Sequence, residues 1–366
     1  MRQFFRQLSS LFKQTKHQMS NSTEVLVDHE IKISFNVAKT EGKGEDADPI
    51  SLAIDKRSFL SVCDGLGGAG STTYDIEGEK KSGAYLSSRI VNKQAALFFS
   101  DLIEKREDFG EDKLDELKSV FLNSLQSEFA KVKNEGGSML KSRMLKNFPT
   151  TFSAMLITKG EEAADVHSIW AGDSRNYVLS CSQGLQQLTV DDLKQKLDPF
   201  ENLTKDSPLN NVVSADGDFQ IRYKNITCPV PCVLFSVTDG CYGYYSTPMH
   251  FEYSVLQALQ NANDTNEWSD NLITEFKAVA GDDFSISLVA LGYRSFKDLK
   301  SQFKQRQEDL YLQFLRDLLK NDGLLKDLSD KKKLIDKDLN QVNLERGELQ
   351  ETIWNQYKEH YLKFIE

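Results

Sequence analysis

Apolar and polar residues alternate with a period of two over residues 30–37, the pattern of a strand with one buried face. Residues 58–63 form a short apolar run that stops at Asp64-Gly65. The period then lengthens: residues 84–100 and 113–133 read as helices. In the second, Leu114, Leu117, Val120, Phe121, Leu125, Phe129 and Val132 form one stripe. Strand-like runs return at 151–158, 166–170, 176–180, 219–223 and 232–237. Helical patterns follow at about 252–261 and 267–279, and residues 284–291 make a last strand. Strands, paired helices and strands again predict an α+β layered sandwich rather than a regular βαβ alternation.

From residue 296 to 366 the chain reads as almost continuous helix, broken at Asn321-Asp322-Gly323. Ile335, Leu339, Val342, Leu349 and Ile353 keep the four-three spacing of a coiled coil, interrupted by Arg346. The break predicts a C-terminal helical hairpin that packs on the preceding domain or presents a surface to a partner or a second copy. At the other end, Phe4, Phe5, Leu8, Leu11 and Phe12 fall at helical spacing among Arg2, Arg6, Lys13 and Lys16. That pattern suits a membrane-surface or targeting segment, but its shortness and the missing cleavage signature favour a plain extension. The expected organisation is an extension over 1–24, a catalytic domain over 25–295 and a helical extension over 296–366. No run of about 18 apolar residues predicts a transmembrane helix.

Composition narrows the chemistry. A chain of 366 residues, 39% hydrophobic and 27% charged, can bury a sizeable core. Its net charge of -10 argues against nucleic acid as a partner and is compatible with an acidic metal site. Five cysteines, an odd number, point to reduced thiols and a cytoplasmic setting. Cys228 and Cys232 flank Pro-Val-Pro without a second ligand pair, so they read as small buried residues rather than zinc ligands.

Three aspartates share one setting. Asp64 and Asp239 each follow an apolar run and precede glycine, and Asp282 stands just before the last strand. Asp-Gly alone is a common turn dipeptide and recurs at Asp216-Gly217. Carboxylates at strand ends are fixed by a sheet yet face its open rim. Three that converged would form a hard-oxygen cage for Mg²⁺ or Mn²⁺ and would repel one another without a cation.

The motifs around these aspartates, in order, resemble the PPM family of metal-dependent protein phosphatases, the type 2C phosphatases. Glu45-Asp46-Ala47 is similar to the family's early Asn-Glu-Asp-Ala, and Asp64-Gly65-Leu66-Gly67-Gly68 to its Asp-Gly-x-Gly-Gly. Thr150-Thr151 resembles its Thr-Thr segment, and Gly172-Asp173-Ser174-Arg175 matches its Gly-Asp-Ser-Arg. Leu188-Thr189-Val190-Asp191, Thr238-Asp239-Gly240 and Asp282-Asp283-Phe284-Ser285 complete the series. The resemblance spans about residues 33 to 292. It implies an α-β-β-α sandwich of two mostly antiparallel sheets flanked by helices. It further implies hydrolysis of phosphoserine and phosphothreonine in phosphoproteins, with two Mn²⁺ or Mg²⁺ ions per site. By the same token Asp64 would bridge the ions, the Gly65 carbonyl would bind one, and Asp239 and Asp282 the other. Glu45 and Asp46 would act through waters on the metals. Asp173 and Arg175 match a structural turn and stay outside the expected catalytic set.

The departures are specific. The family's phosphate-gripping arginine is replaced by Glu41, leaving Lys39 and Lys43 as candidate phosphate contacts without arginine's bidentate fork. Leu66 occupies the position of a histidine acid, and Arg143 to Phe148 lacks the acid that holds a third metal in bacterial members. Asp283 replaces asparagine. These changes keep a second reading open: a weakly active pseudophosphatase that binds phosphoproteins or acts as a scaffold. A dinucleotide site at Gly65, Gly67 and Gly70 is disfavoured, because Asp64 beside the first glycine has the wrong sign for a pyrophosphate.

Overall fold

The computed structural model describes residues 31–76, 78–133, 146–195, 197–204 and 207–364. Two five-stranded antiparallel sheets face each other. One contains β1 (Ile31–Val37), β12 (Phe284–Leu291), β11 (Cys232–Val237), β8 (Arg175–Ser180) and β9 (Gly184–Gln187), in that spatial order. The other runs β10 (Arg222–Pro229), β7 (Ala163–Ala171), β6 (Phe152–Lys159), β3 (Arg57–Val62) and β2 (Ile50–Ile54). A small hairpin, β4 (Thr73–Ile76) with β5 (Glu79–Ser82), leads into α1 (Gly83–Glu104). Helix α1 and α2 (Leu114–Lys133) cover the second sheet. Helices α5 (Pro248–Gln260), α6 (Thr265–Lys277) and α7 (Phe296–Leu310) cover the first. Two further short helices are α3 (Pro199–Thr204) and α4 (Asp239–Tyr242). This is the α-β-β-α sandwich implied by the motifs.

Period-two alternation explains the layering. On β11, Val233, Phe235 and Val237 face the helices, while Cys232 and Leu234 join Leu60, Met155, Val166 and Val289 between the sheets. The layer between the sheets turns polar towards one end. There Asn176 accepts from Ser153 Oγ (2.9 Å) and Ser236 Oγ (2.6 Å), and donates to Ser168 Oγ (2.9 Å) and the Ala154 carbonyl (2.8 Å). A polar interior of this kind is tolerable only because each group finds a partner. At this end the chain places its aspartates. All five cysteines are free, and Cys228 and Cys232 are buried, as read from the sequence.

Two expectations are corrected. The strand expected over 219–223 begins only at Arg222 and continues to Pro229, pairing with all of β7 from Trp170 back to Ala163. It is a sheet edge with mostly polar, exposed positions, so pairing rather than hydrophobicity defines it, and Phe219 instead packs into the core beside α1 and α2. The C-terminal hairpin is absent: α8 (Arg316–Leu362) runs unbroken through Asn321-Asp322-Gly323. A glycine inside a helix costs only about 1 kcal/mol, which the strong helix formers on both sides outweigh. The irregularity lies earlier, in a π-helical turn at Tyr311–Leu315. The segment 1–24 lies outside the described residues.

Candidate metal centre

Asp64 extends the inward face of β3, two residues after Val62 and four after Leu60. Its backbone is fastened to the Thr150-Thr151 segment. The Asp64 carbonyl accepts from Thr151 N (2.8 Å) and Thr150 Oγ1 (2.6 Å), and Asp64 N donates to Thr151 Oγ1 (3.1 Å). The following glycines permit close approach. A Cβ on Gly65 would stand 2.6 Å from the Glu45 carbonyl and 2.7 Å from that of Ala84, and one on Gly67 would strike the Glu45 carboxylate. Asp239 leaves β11 and opens α4. A Cβ on Gly240 would collide with the Asp283 carbonyl, so this Asp-Gly rests against the Asp282-Asp283 pair preceding β12.

Five carboxylates share one field. Asp46 is buried, Asp64, Asp173 and Asp239 are half-buried, and Asp282 is exposed, so the group opens from a closed floor to a wet rim. Asp46 Oδ2 accepts from Thr238 Oγ1 (2.9 Å) and Ser285 Oγ (2.8 Å), and its carboxyl hydrogen-bonds that of Asp64. Burial, and then the charge of Asp239, push the Asp46 carboxyl up to about 7 despite those donors. Burial and the charges of Asp46, Asp239 and Asp173 raise Asp64 well above the usual range. Asp173 is raised to about 8 by burial, Asp239 and Asp191, and Asp239 to about 6 by burial and Asp282. Like charges gathered out of water lift one another's pKa, and a bound cation reverses that effect.

The side chains fit a hard divalent cation. The side-chain donors are carboxylate oxygens, and Asp173 Oδ1 is buried with no hydrogen-bond partner among the described residues. Among the described residues, no three acidic, histidine or cysteine side chains close tightly enough on one point to hold an ion alone. Magnesium-like ions retain several waters and need only one or two carboxylates each, so this open arrangement suits them. Asp173 is the residue that the sequence reading missed. Its motif identified a turn, and only the fold brings its carboxyl within the field of Asp64 and Asp239.

The surrounding motifs hold the aspartates in place. Arg175, buried, donates from Nε (2.9 Å) and Nη2 (2.6 Å) to the two oxygens of Asp191, and from Nη1 to the Tyr177 hydroxyl (3.1 Å). Its guanidinium lies 3.9 Å from the Tyr242 ring centre, and the Tyr242 hydroxyl donates to the Asp173 carbonyl (2.7 Å). Glu45 accepts from Ser82, the N-cap of α1. Asp283, the departure from asparagine, accepts from Lys39 N (2.7 Å) and Glu45 N (2.6 Å) and so pins both ends of the turn between them. Lys39, Glu41 and Lys43 are exposed on that turn, and neither lysine ammonium has an ion-pair partner among the described residues. Leu66 is half-buried. Tyr244 stands at the rim against Gly281, where a Cβ would meet its ring. Burial, then Asp239, Asp282 and Asp64, raise its phenol pKa.

The same architecture occurs in known structures. The serine/threonine phosphatase Stp1 from Staphylococcus aureus superposes with a TM-score of 0.50 over 75% of this chain and 99% of its own, at 15% identity. The fold is that of a bacterial serine/threonine phosphatase. The phosphatase PstP from Mycobacterium tuberculosis aligns at a TM-score of 0.46 and 18% identity, over 72% of this chain and 98% of its own. A PstP catalytic domain in complex with two manganese ions aligns at 0.44 and 17%, over 71% and 97%. No family model matches the sequence, and no curated protein matches it at a significant level. Among the described residues no helix is long and apolar enough to cross a membrane.

Proposed function

We propose that the chain is a metal-dependent protein serine/threonine phosphatase. The observation that carries this reading is the shared field of Asp46, Asp64, Asp173, Asp239 and Asp282 at one end of a phosphatase-type sandwich. Asp64 would hold two Mn²⁺ or Mg²⁺ ions together, with the Gly65 carbonyl on one and Asp239 and Asp282 on the other. Ions held by these residues would supply charge neutralisation for a phosphoryl group and an acidified water. The protein's own groups do the positioning. Asp46 orients Asp64 through their hydrogen bond, with Thr238 and Ser285 fixing Asp46 in turn. Glu45, whose carboxylate lies against Gly67, would act on the ions through water. Lys39 and Lys43 would meet the phosphate in place of arginine, each as a point charge. Leu66 has no group that can donate a proton, so the Tyr244 phenol at the rim, its pKa raised by burial and neighbouring acids, would serve as a hydrogen-bond donor there. Five free cysteines, four of them buried, support a cytoplasmic setting.

The test is hydrolysis of p-nitrophenyl phosphate and of phosphoserine, phosphothreonine and phosphotyrosine peptides with Mn²⁺, Mg²⁺ or EDTA. Turnover that requires metal, favours the two aliphatic phosphoesters and falls at least about 100-fold in Asp239→Asn is expected, the scale of removing one preorganised electrostatic group. Glu41 on the turn favours a second reading, a phosphoprotein-binding pseudophosphatase. Metal binding without turnover would select it.

A further inference from the structure

We propose that α8 pairs with α8 of a second copy of this chain as an antiparallel coiled coil. Every residue from Gly323 to Tyr361 is exposed, and only the first turns of α8, at Leu318 and Leu319, touch the core among the described residues. A long helix with no packing against the other described residues beyond its first turns still carries an apolar seam. Leu325, Leu328, Ile335, Leu339, Val342, Leu349 and Ile353 recur at four-three spacing, each between 55% and 65% exposed. Seven such side chains expose roughly 100 Å² each, so two copies would cover on the order of 1,400 Å², within the range of a stable specific interface.

The charges choose both the partner and the direction. Lys332 and Arg346 occupy two positions of the same seam. In a parallel pair each would face its own counterpart, placing like charges in the seam. A two-fold axis between Asn340 and Gln341 removes that conflict. Lys332 then lies opposite Leu349 of the second copy, Arg346 opposite Ile335, and Leu339 opposite Val342. The same alignment brings the lysine run Lys331, Lys332 and Lys333 level with the stretch of the second copy that holds Glu348 and Glu351. Reversal places that lysine run beside acidic side chains, as a two-fold interface requires. At about 1.5 Å per residue, the 47-residue helix would hold two catalytic units about 70 Å apart at opposite ends of a rod, leaving both metal centres open.

Light scattering of the full chain at about 50 μM decides the matter, and it is independent of phosphatase activity. The expected mass is twice 41.6 kDa. Leu339→Glu and Val342→Glu lie on an exposed surface, so each should give a folded monomer. Glu345→Lys, Glu348→Lys and Glu351→Lys combined should also give a monomer. That chain should recover a dimer when mixed with one carrying Lys331→Glu, Lys332→Glu and Lys333→Glu. Direction is read from spin labels at Asp330→Cys on a Cys181→Ser background. An antiparallel pair separates them by about 30 Å along the axis, whereas a parallel pair holds them side by side. A monomeric wild type, a dimer indifferent to Leu339→Glu, or adjacent labels would overturn the proposal.

Discussion

Replacing Arg175 by methionine removes a group that ties three motifs together. Its side chain is 2% exposed and that of Asp191 is 7% exposed, so neither charge is relieved by water. The substitution deletes two charge-assisted hydrogen bonds, at 2.9 and 2.6 Å, and the cation–π contact with Tyr242. It leaves Asp191 with neutral donors, Asn202 Nδ2 at 2.5 Å and Gln187 Nε2 at 3.3 Å. Breaking a buried pair from one side costs about 3–5 kcal/mol, a large part of a typical 5–15 kcal/mol stability. With a guanidinium slope of about 5 kcal/mol/M, the unfolding midpoint should fall by about 0.6–1 M. Asp191→Leu added to Arg175→Met should recover at least half of the loss, since apolar replacement of a whole buried pair is often near neutral. A single variant within about 1 kcal/mol of wild type, or a double variant no better than the single, would refute the reasoning.

Three further outcomes are expected. In EDTA, the folded protein binds more protons than the unfolded chain wherever carboxyl pKa values are raised. With Asp239 at about 6, Asp46 at about 7 and Asp173 at about 8, stability should therefore be fullest near pH 4 and decline as pH rises to about 8. Denaturant titrations at four pH values check this, and a flat or rising profile contradicts it. Asp239→Asn should raise the melting temperature in EDTA, because it removes one repelling carboxylate, and should blunt the increase that Mn²⁺ gives the wild type; a lower melting temperature in EDTA counts against the shared field. Asp283→Ala should destabilise by about 2–4 kcal/mol, the scale of two hydrogen bonds to a charged group, and should speed hydrogen exchange at the Lys39 and Glu45 amides. Unchanged exchange at both amides would remove the pinning role.

The strands that carry the site were legible because both of their faces are buried. Residues 232–237 and 284–291 form apolar runs without polar interruption except serines, and they match β11 and β12 end to end. The polar edge strand β10 and the short β2, β4, β5 and β9 were not legible, since pairing with neighbours rather than their own periodicity forms them. Asp64, Asp239 and Asp282 could be named from strand ends and motif order. Asp173 could not, because its proximity to Asp64 depends on β8 and β3 lying in opposing sheets. Asp283 was legible only as a replacement of asparagine, whereas the fold shows it accepting from two backbone amides. In the tail, the glycine signal was outweighed by the helix around it, while the apolar seam was plain in the sequence.

The claim that these aspartates form a metal centre is tested most directly by calorimetric titration of the metal-free chain with Mn²⁺ near pH 7. Binding of two ions per chain with release of protons is predicted, because the raised carboxyls must ionise to take up the cations. Asp64→Asn should abolish the binding of both. No binding by the wild type, or uptake unchanged in Asp64→Asn, would contradict the account.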